Sequence, residues 1–342
     1  MWSRAPAWGY YDHPPMVAWL IALGAALAGD GALGIRLLAP VSACVGSILL
    51  SWALDRAYPA TRPGIAASVL LNATLAFGAG AVTMTPDTPL LLFWTLAMAA
   101  LLPVAATGRG WLGAGLAAGA ALLSKYTALL FGVSVAVWLA LVPPMRRWLI
   151  DLRPLAAACL AITLFVPVLW WNARHGWVSF AQQGGRIADF DPARAVRFTG
   201  ELIAGQIGLA TPGIAVLMTV GTVAAARRRD PVGGLLAALT VVPALVFAEH
   251  ALGDRVQANW PAITYPSAAA AAAILGKPWA RLRPAAAALG FAITGAVYLQ
   301  AVAPLPLPRR LDPTLIRLAG WDRLAGDADT MRRQQGAAYL RS

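Results

Sequence analysis

Short polar groups interrupt this apolar sequence, and each holds side chains capable of proton or phosphate chemistry. In Tyr10-Tyr11-Asp12-His13-Pro14-Pro15 the diproline starts a helix at Met16, which puts a carboxylate and an imidazole beside its positive end. A capped interfacial helix with aromatic anchors would use the same residues. In Thr85-Pro86-Asp87-Thr88-Pro89 a tight turn joins two apolar runs, and Asp87 is placed either to cap the second run or to act as an acid. In Ser124-Lys125-Tyr126-Thr127 an ammonium lies between two short apolar runs with no acid near it in sequence. It would snorkel to the interface or bind a phosphate as a point charge.

Two further groups lie later in the chain. Trp170-Trp171-Asn172-Ala173-Arg174-His175-Gly176-Trp177 leads into a polar loop with Gln182, Gln183, Arg186, Asp189 and Asp191, and combines indole rings with amide and imidazole groups that suit a sugar. Glu249-His250 and Asp254-Arg255-Val256-Gln257-Ala258-Asn259-Trp260-Pro261 form a polar turn before a helix, with Arg255 available for phosphate. Gln206 and Asn72 are lone polar residues within apolar runs. Interhelical hydrogen bonding is the ordinary role of such groups, and Gln206 is carried as a substrate-binding candidate beside it.

The elements that must position these groups are membrane helices. The chain has 342 residues, 59% hydrophobic and 12% charged, with a mean hydropathy of +0.65, far from the balance of a soluble domain. A large soluble catalytic domain is excluded. Cys44 and Cys159 sit in apolar runs, so neither a disulfide nor thiolate chemistry is expected.

Apolar runs predict ten spans, near Ile35–Asp55, Ile65–Met84, Thr88–Ala106, Trp111–Ser124, Thr127–Val142, Pro154–Trp171, Leu202–Ala226, Val232–Ala248, Pro261–Leu275 and Pro284–Ala303. Met16–Ala28 is too short to cross and reads as an interfacial or re-entrant helix. The fold class expected is an all-α polytopic bundle: one integral domain over residues 1–303 and a short external tail over 304–342, stiffened by Pro304, Pro306 and Pro308.

The net charge of +12 would suggest nucleic acid in a soluble chain, but in a membrane chain its placement decides its meaning. One alternate set of loops is dominated by arginine and lysine, from Arg56 and Arg62 through Arg146, Arg147, Arg153 and Arg227 to Lys277, Arg281 and Arg283, against only Asp55, Asp151 and Asp230. That side is read as cytoplasmic. Every candidate group falls on the other, mixed-charge side, where acids, cations, amides and aromatics would serve a polar substrate with a lipid-phosphate handle.

In this order, WGYYDHPPMVAWLIAL, GDGALGIRLLAP, TPDTPLLLFWTLAM, LLSKYTALL, PVLWWNARHGWVSF and VQANWPAITYP resemble the bacterial membrane glycosyltransferase family 39, the dolichyl-phosphate-mannose-protein mannosyltransferase-like group. The resemblance runs from Trp8 to about Ala303. It implies a GT-C fold in the bacterial inner membrane, with an active face on the outside. It also implies transfer of a sugar, with inversion, from a polyprenyl-phosphate donor to a lipid, glycan or protein acceptor, and no nucleic-acid partner.

By the same resemblance Tyr10, Tyr11, Asp12 and His13 would line the substrate cavity, Lys125 with Arg255 would hold the donor phosphate, and Asn172, His175 and Asn259 would contact substrate. A divalent ion between Asp12 and His175 would match the pair that related enzymes use. Members of the family carry a first helix and an acidic motif ahead of the aromatic run, so both are expected before Met1. Within this chain Asp12 or Asp87 would take the place of that base, and Lys125→Ala is expected to abolish turnover without disturbing folding. A secondary transporter or flippase, or a catalytically inactive scaffold, are the rival readings.

Overall fold

The computed structural model describes residues 2–184, 191–228, 230–306, 308, 312 and 320–336. Arg186 and Asp189 of the expected polar loop lie outside these residues. The described chain is helical throughout, with no strand among the described residues. It opens with α1 (Met16–Ala28), α2 (Ala32–Arg36), α3 (Leu38–Ala57), α4 (Gly64–Asn72) and α5 (Leu75–Gly80). Next come α6 (Asp87–Leu101), α7 (Val104–Thr107), α8 (Trp111–Leu122), α9 (Leu129–Leu141), α10 (Leu152–Arg174) and α11 (Val178–Gly184). The remainder is α12 (Pro192–Ala210), α13 (Pro212–Arg228), α14 (Pro231–His250), α15 (Tyr265–Ala273), α16 (Arg283–Val302) and α17 (Trp321–Gln334).

Among the described residues 5 stretches are long and apolar enough to cross a membrane: Ala32–Ala57, Asp87–Thr107, Leu152–Arg174, Pro231–His250 and Trp279–Val302. Two bent pairs bring the number to at most 7, below the ten expected. The reasons are local. The Ile65–Met84 run breaks after Asn72, where Thr74 caps α5 by accepting from Phe77 N–H and donates its own hydroxyl to Leu71. The Leu202–Ala226 run breaks at Thr211, which has φ +67° and precedes Pro212, and the two halves meet at 104°. Proline disfavours helical backbone in the residue before it and supplies no N–H to continue the ladder. Met16–Ala28 is an apolar helix too short to span alone, as expected, and Trp111–Leu122, counted among the ten spans, is too short as well.

The Pro261–Leu275 run is a different kind of element. A 3-10 turn over Trp260–Thr264 leads into α15, and every residue of α15 is buried. Its neighbours are α4, α13 and α14. Hydropathy registers the run of alanines only as apolar. In the fold, alanine lets backbones close in, and a Cβ on Gly221 of α13 would lie 2.5 Å from the Ala272 nitrogen. Gly115 and Gly119 do the same for α8 against α10, where a Cβ would come within 2.4 Å of the Ala157 carbonyl oxygen and 2.7 Å of Leu164. Leu50, Leu54, Leu70, Leu90, Trp94 and Met98 fill the interior that α3, α4 and α6 share.

At the arginine-rich end the three acids expected there are all spent on helix starts. Asp151 accepts from Arg153 N–H ahead of α10, Asp230 accepts from Gly233 N–H ahead of α14, and Asp55 accepts from Gly64 N–H where α4 begins. Burial raises the Tyr58 phenol at this end, with Asp230 adding to the shift and Arg228 opposing it.

The contacts divide the chain after Phe291, within α16, into a unit over Met1–Phe291 and a unit over Ala292–Ser342. In the second unit Gln300 donates to the Asp312 carboxylate at 2.6 Å and accepts from Leu305 N–H, which closes the chain onto the end of α16.

Candidate functional site

Asp87 is the first residue of α6, but it does not cap the helix. The N-cap is Pro86, no side chain caps it, and the turn is closed by Thr88, whose hydroxyl accepts from Thr85 N–H and donates to the Thr83 carbonyl. The Asp87 carboxylate is thereby left to reach across the fold. One oxygen accepts from Lys125 Nζ at 2.7 Å and the other from Asn259 Nδ2 at 2.6 Å.

The side chains of Lys125 and Asp87 are 10% and 14% exposed, so this is a nearly buried ion pair. Lys125 therefore has the acid that its sequence neighbourhood lacked. Removing one partner of such a pair costs several kcal/mol, and that corrects the expectation of a structurally silent Lys125→Ala. Lys125 Nζ also lies 6.0 Å from the centre of the Trp260 ring, within cation–π range.

The first loop sits beside this network. Met16 N–H donates to the Leu123 carbonyl at 2.9 Å, so the start of α1 is tied to the strand of chain that presents Lys125. Tyr10 is buried, stacked on Trp2, with its hydroxyl 3.1 Å from Ala7 N and from the Trp2 and Ala5 carbonyls. Its own carbonyl accepts from Ser179 Oγ at 2.8 Å. Tyr11 is exposed and donates to Gln182 Oε1, while Gln183 donates to the Asp12 carbonyl. Gly9 passes so close to Trp171 that a Cβ would stand 2.8 Å from the ring. Half-buried Asp12 has no hydrogen-bond or ion-pair partner for its carboxylate among the described residues. His13 faces the edge of Trp2 at 6.2 Å.

Asn172 and His175 part company. Asn172 is fully buried, donates to the Val168 carbonyl and accepts from Ser179 N–H, while its carbonyl takes the His175 and Trp177 N–H groups. Its amide shapes the loop that holds Tyr10 and has no surface to offer a substrate, which corrects its expected contact. His175 is exposed, stacked on Trp171 at 4.0 Å, with Nδ1 2.7 Å from the Trp171 carbonyl. That leaves Nε2 alone for a ligand. No group of three or more His, Cys, Asp or Glu side chains able to hold an ion forms among the described residues, and two ligands by themselves do not define a divalent-ion site.

Around the far side, Arg255 is exposed and pairs with Glu201, Nε to Oε2 at 2.7 Å and an Nη to Oε1 at 2.9 Å, and Glu201 also holds Arg197. The hydrogen bond that Arg255 donates to Glu201 pushes its guanidinium further up, so it stays cationic. Gln206 donates to the Ala258 carbonyl and accepts from the Tyr265 hydroxyl. It thus fixes the turn that carries Asn259. Asn72 bonds Ser47 and Ser68 between α3 and α4, the interhelical role expected of it. Ser179, Tyr265 and Glu201 were not singled out from sequence. The hydroxyls of Ser179 and Tyr265 carry no local signal, and Glu201 gains meaning only when α12 comes alongside Arg255.

Residues 12–171 match the family described as dolichyl-phosphate-mannose-protein mannosyltransferase. That span includes Asp12, Asp87 and Lys125. The lipid A galacturonosyltransferase RgtD of Rhizobium johnstonii is 28% identical over 281 residues, 77% of this chain and 56% of the relative. The fold is similar to that of ArnT from Cupriavidus metallidurans, with a TM-score of 0.63 for the apo state and 0.66 for the state bound to undecaprenyl phosphate, at 19% and 18% identity. The chain is thus similar to this family over residues 12–171, and it shares the fold of ArnT. Each ArnT comparison covers 89% of this chain and 57% of ArnT, so the chain spans little more than half the length of the relatives it matches.

Proposed function

We propose that this chain carries the reaction centre of a membrane glycosyltransferase that moves a sugar from a polyprenyl-phosphate donor to a lipid, glycan or protein acceptor. The observation that carries the reading is a nearly buried Asp87–Lys125 ion pair extended by Asn259, with an Asp12 carboxylate that has no partner among the described residues, within a GT-C-like helical body. RgtD acts on lipid A, and one ArnT structure holds undecaprenyl phosphate, which supports a lipid-linked donor and an envelope acceptor. The concentration of arginine in the opposite set of loops supports a reaction face on the outside of the bacterial inner membrane.

In an inverting transfer the acceptor hydroxyl oxygen bonds to the anomeric carbon as the sugar–phosphate C–O bond breaks. The bonding electrons leave with the polyprenyl phosphate, and the acceptor proton passes to a carboxylate. Asp12 suits that proton, because both oxygens of Asp87 are already occupied by donors. Lys125 has two N–H bonds beyond the one given to Asp87, enough to hold the developing phosphate charge. Arg255, exposed and tethered by Glu201, would draw the anionic headgroup in from the membrane surface. Tyr11, His13 and His175 would meet the sugar or acceptor, while Tyr10, Asn172, Gln206 and Asn259 hold the frame.

The test is covalent transfer in proteoliposomes that contain a polyprenyl-phosphate sugar and a lipid acceptor. Glycosylated acceptor formed by the wild type and lost in Lys125→Met supports the reading. Movement of donor across the bilayer with no covalent product would replace it with transport.

A further inference from the structure

At the arginine-rich end, α9 ends at Leu141 and the chain turns through 116° into a 3-10 helix over Pro143–Ile150. Asp151 then starts α10, which packs on α8 and so brings the Thr107–Gly110 turn alongside. Between the turn and the 3-10 helix is a cavity of about 390 Å³, lined by Thr107, Gly108, Arg147, Trp148, Asp151 and Arg153.

The two guanidiniums are held in place. Arg147 donates to the Ala105 carbonyl and Arg153 to the Gly108 carbonyl. Both lie on the buried Trp148 ring, at 5.2 and 5.4 Å from its centre. A guanidinium has five N–H donors, so each keeps several for a ligand. Arg109 and Arg146 are exposed in the same two segments. Among the described residues the only carboxylate lining the cavity is Asp151, which is engaged as the cap of α10 and lies 3.8 Å from Arg153 Nε. The adjoining surface is apolar: Leu149, Ile150 and Leu152 are 54, 91 and 76% exposed.

We propose that this cavity binds the phosphate headgroup of an anionic glycerophospholipid, with its acyl chains along Leu149, Ile150 and Leu152. Charge complementarity selects the headgroup, and preorganised guanidiniums hold a phosphate with little loss of side-chain freedom. A soluble phosphate would use the arginines and leave the apolar rim uncovered, and that rim is the reason the ligand is a lipid. The bound lipid would pin the bend between α9 and α10. The proposal does not depend on the chemistry at the other end.

The experiment is native mass spectrometry of the full chain released from mixed vesicles of phosphatidylglycerol and phosphatidylcholine. The wild type should retain phosphatidylglycerol about ten-fold or more over phosphatidylcholine. Arg147→Gln with Arg153→Gln should bring retention to near parity. Lys277→Gln with Arg281→Gln removes the same charge from another basic turn and should leave the preference in place. Unchanged preference in the first pair, equal loss in the second, or displacement of lipid by millimolar inorganic phosphate would each overturn the proposal. If the glutamine pair does not stay monodisperse, Arg147→Lys with Arg153→Lys keeps the charge and removes the planar fork. Its preference should fall about three-fold or more, and no change there also overturns the assignment.

Discussion

Lys125→Met removes the cation from a carboxylate that has nowhere else to go. Asp87 is 14% exposed on its side chain and among the described residues would keep only the Asn259 amide, at 2.6 Å, as a donor. Breaking a buried pair by removing one partner typically costs about 3–5 kcal/mol, and the surviving Asn259 bond places this case at about 3. A loss of that size lowers the unfolding midpoint in detergent by on the order of 5 °C. Asp87→Asn should cost a similar amount, since it strands the ammonium instead. The double variant Lys125→Met with Asp87→Asn leaves no isolated charge, so its midpoint should lie above the sum of the two single losses by about 1–3 kcal/mol of coupling. Transfer, in contrast, should fall by about 10³-fold in the single Lys125 variant and stay low in the double, because the phosphate still lacks its cation. Thermal unfolding by tryptophan fluorescence and initial transfer rates read the two effects apart. A fully stable Lys125→Met, or strict additivity in the double, would show that the pair is not the buried unit described above. Restored transfer in the double would remove Lys125 from the chemistry.

Asp12→Asn should leave the unfolding midpoint unchanged, as its carboxylate has no hydrogen-bond or ion-pair partner among the described residues, while transfer drops by about 10²–10⁴-fold; equal activity would return the base to Asp87. Asn172→Leu strands the Ser179 N–H inside the protein and should cost about 1–3 kcal/mol, with faster proteolysis of the Trp177–Gln183 segment as the readout. Ala271→Leu puts a larger side chain into the buried helix α15 and should cost about 1–3 kcal/mol, which detergent unfolding would show. His175→Gln should alter the apparent KM more than stability, given its exposed ring; a large loss of stability would mean that its stacking on Trp171 holds the loop.

A membrane body of helices was legible from hydropathy alone, because apolar length is a local property. The order of the motifs likewise resembled the family that residues 12–171 match. The count of spans was not legible. A sliding apolar run does not register that Thr74 caps a new helix, that Thr211 turns the backbone ahead of Pro212, or that alanine over Ala268–Ala273 is packing surface against helix rather than lipid.

For the site, sequence named Asp12, Asp87, Lys125, Arg255 and Asn259 but not what each one does. Asp87 read equally well as a cap, Lys125 read as an unpaired cation, and Asn172 read as a ligand. Those choices depend on which side chains meet across the helical bundle, and pairing between residues as distant as Asp87, Lys125 and Asn259 leaves no trace in local spacing. Only the packing of α6, α8 and the turn before α15 brings them within hydrogen-bond distance, and burial there makes the pair costly to break.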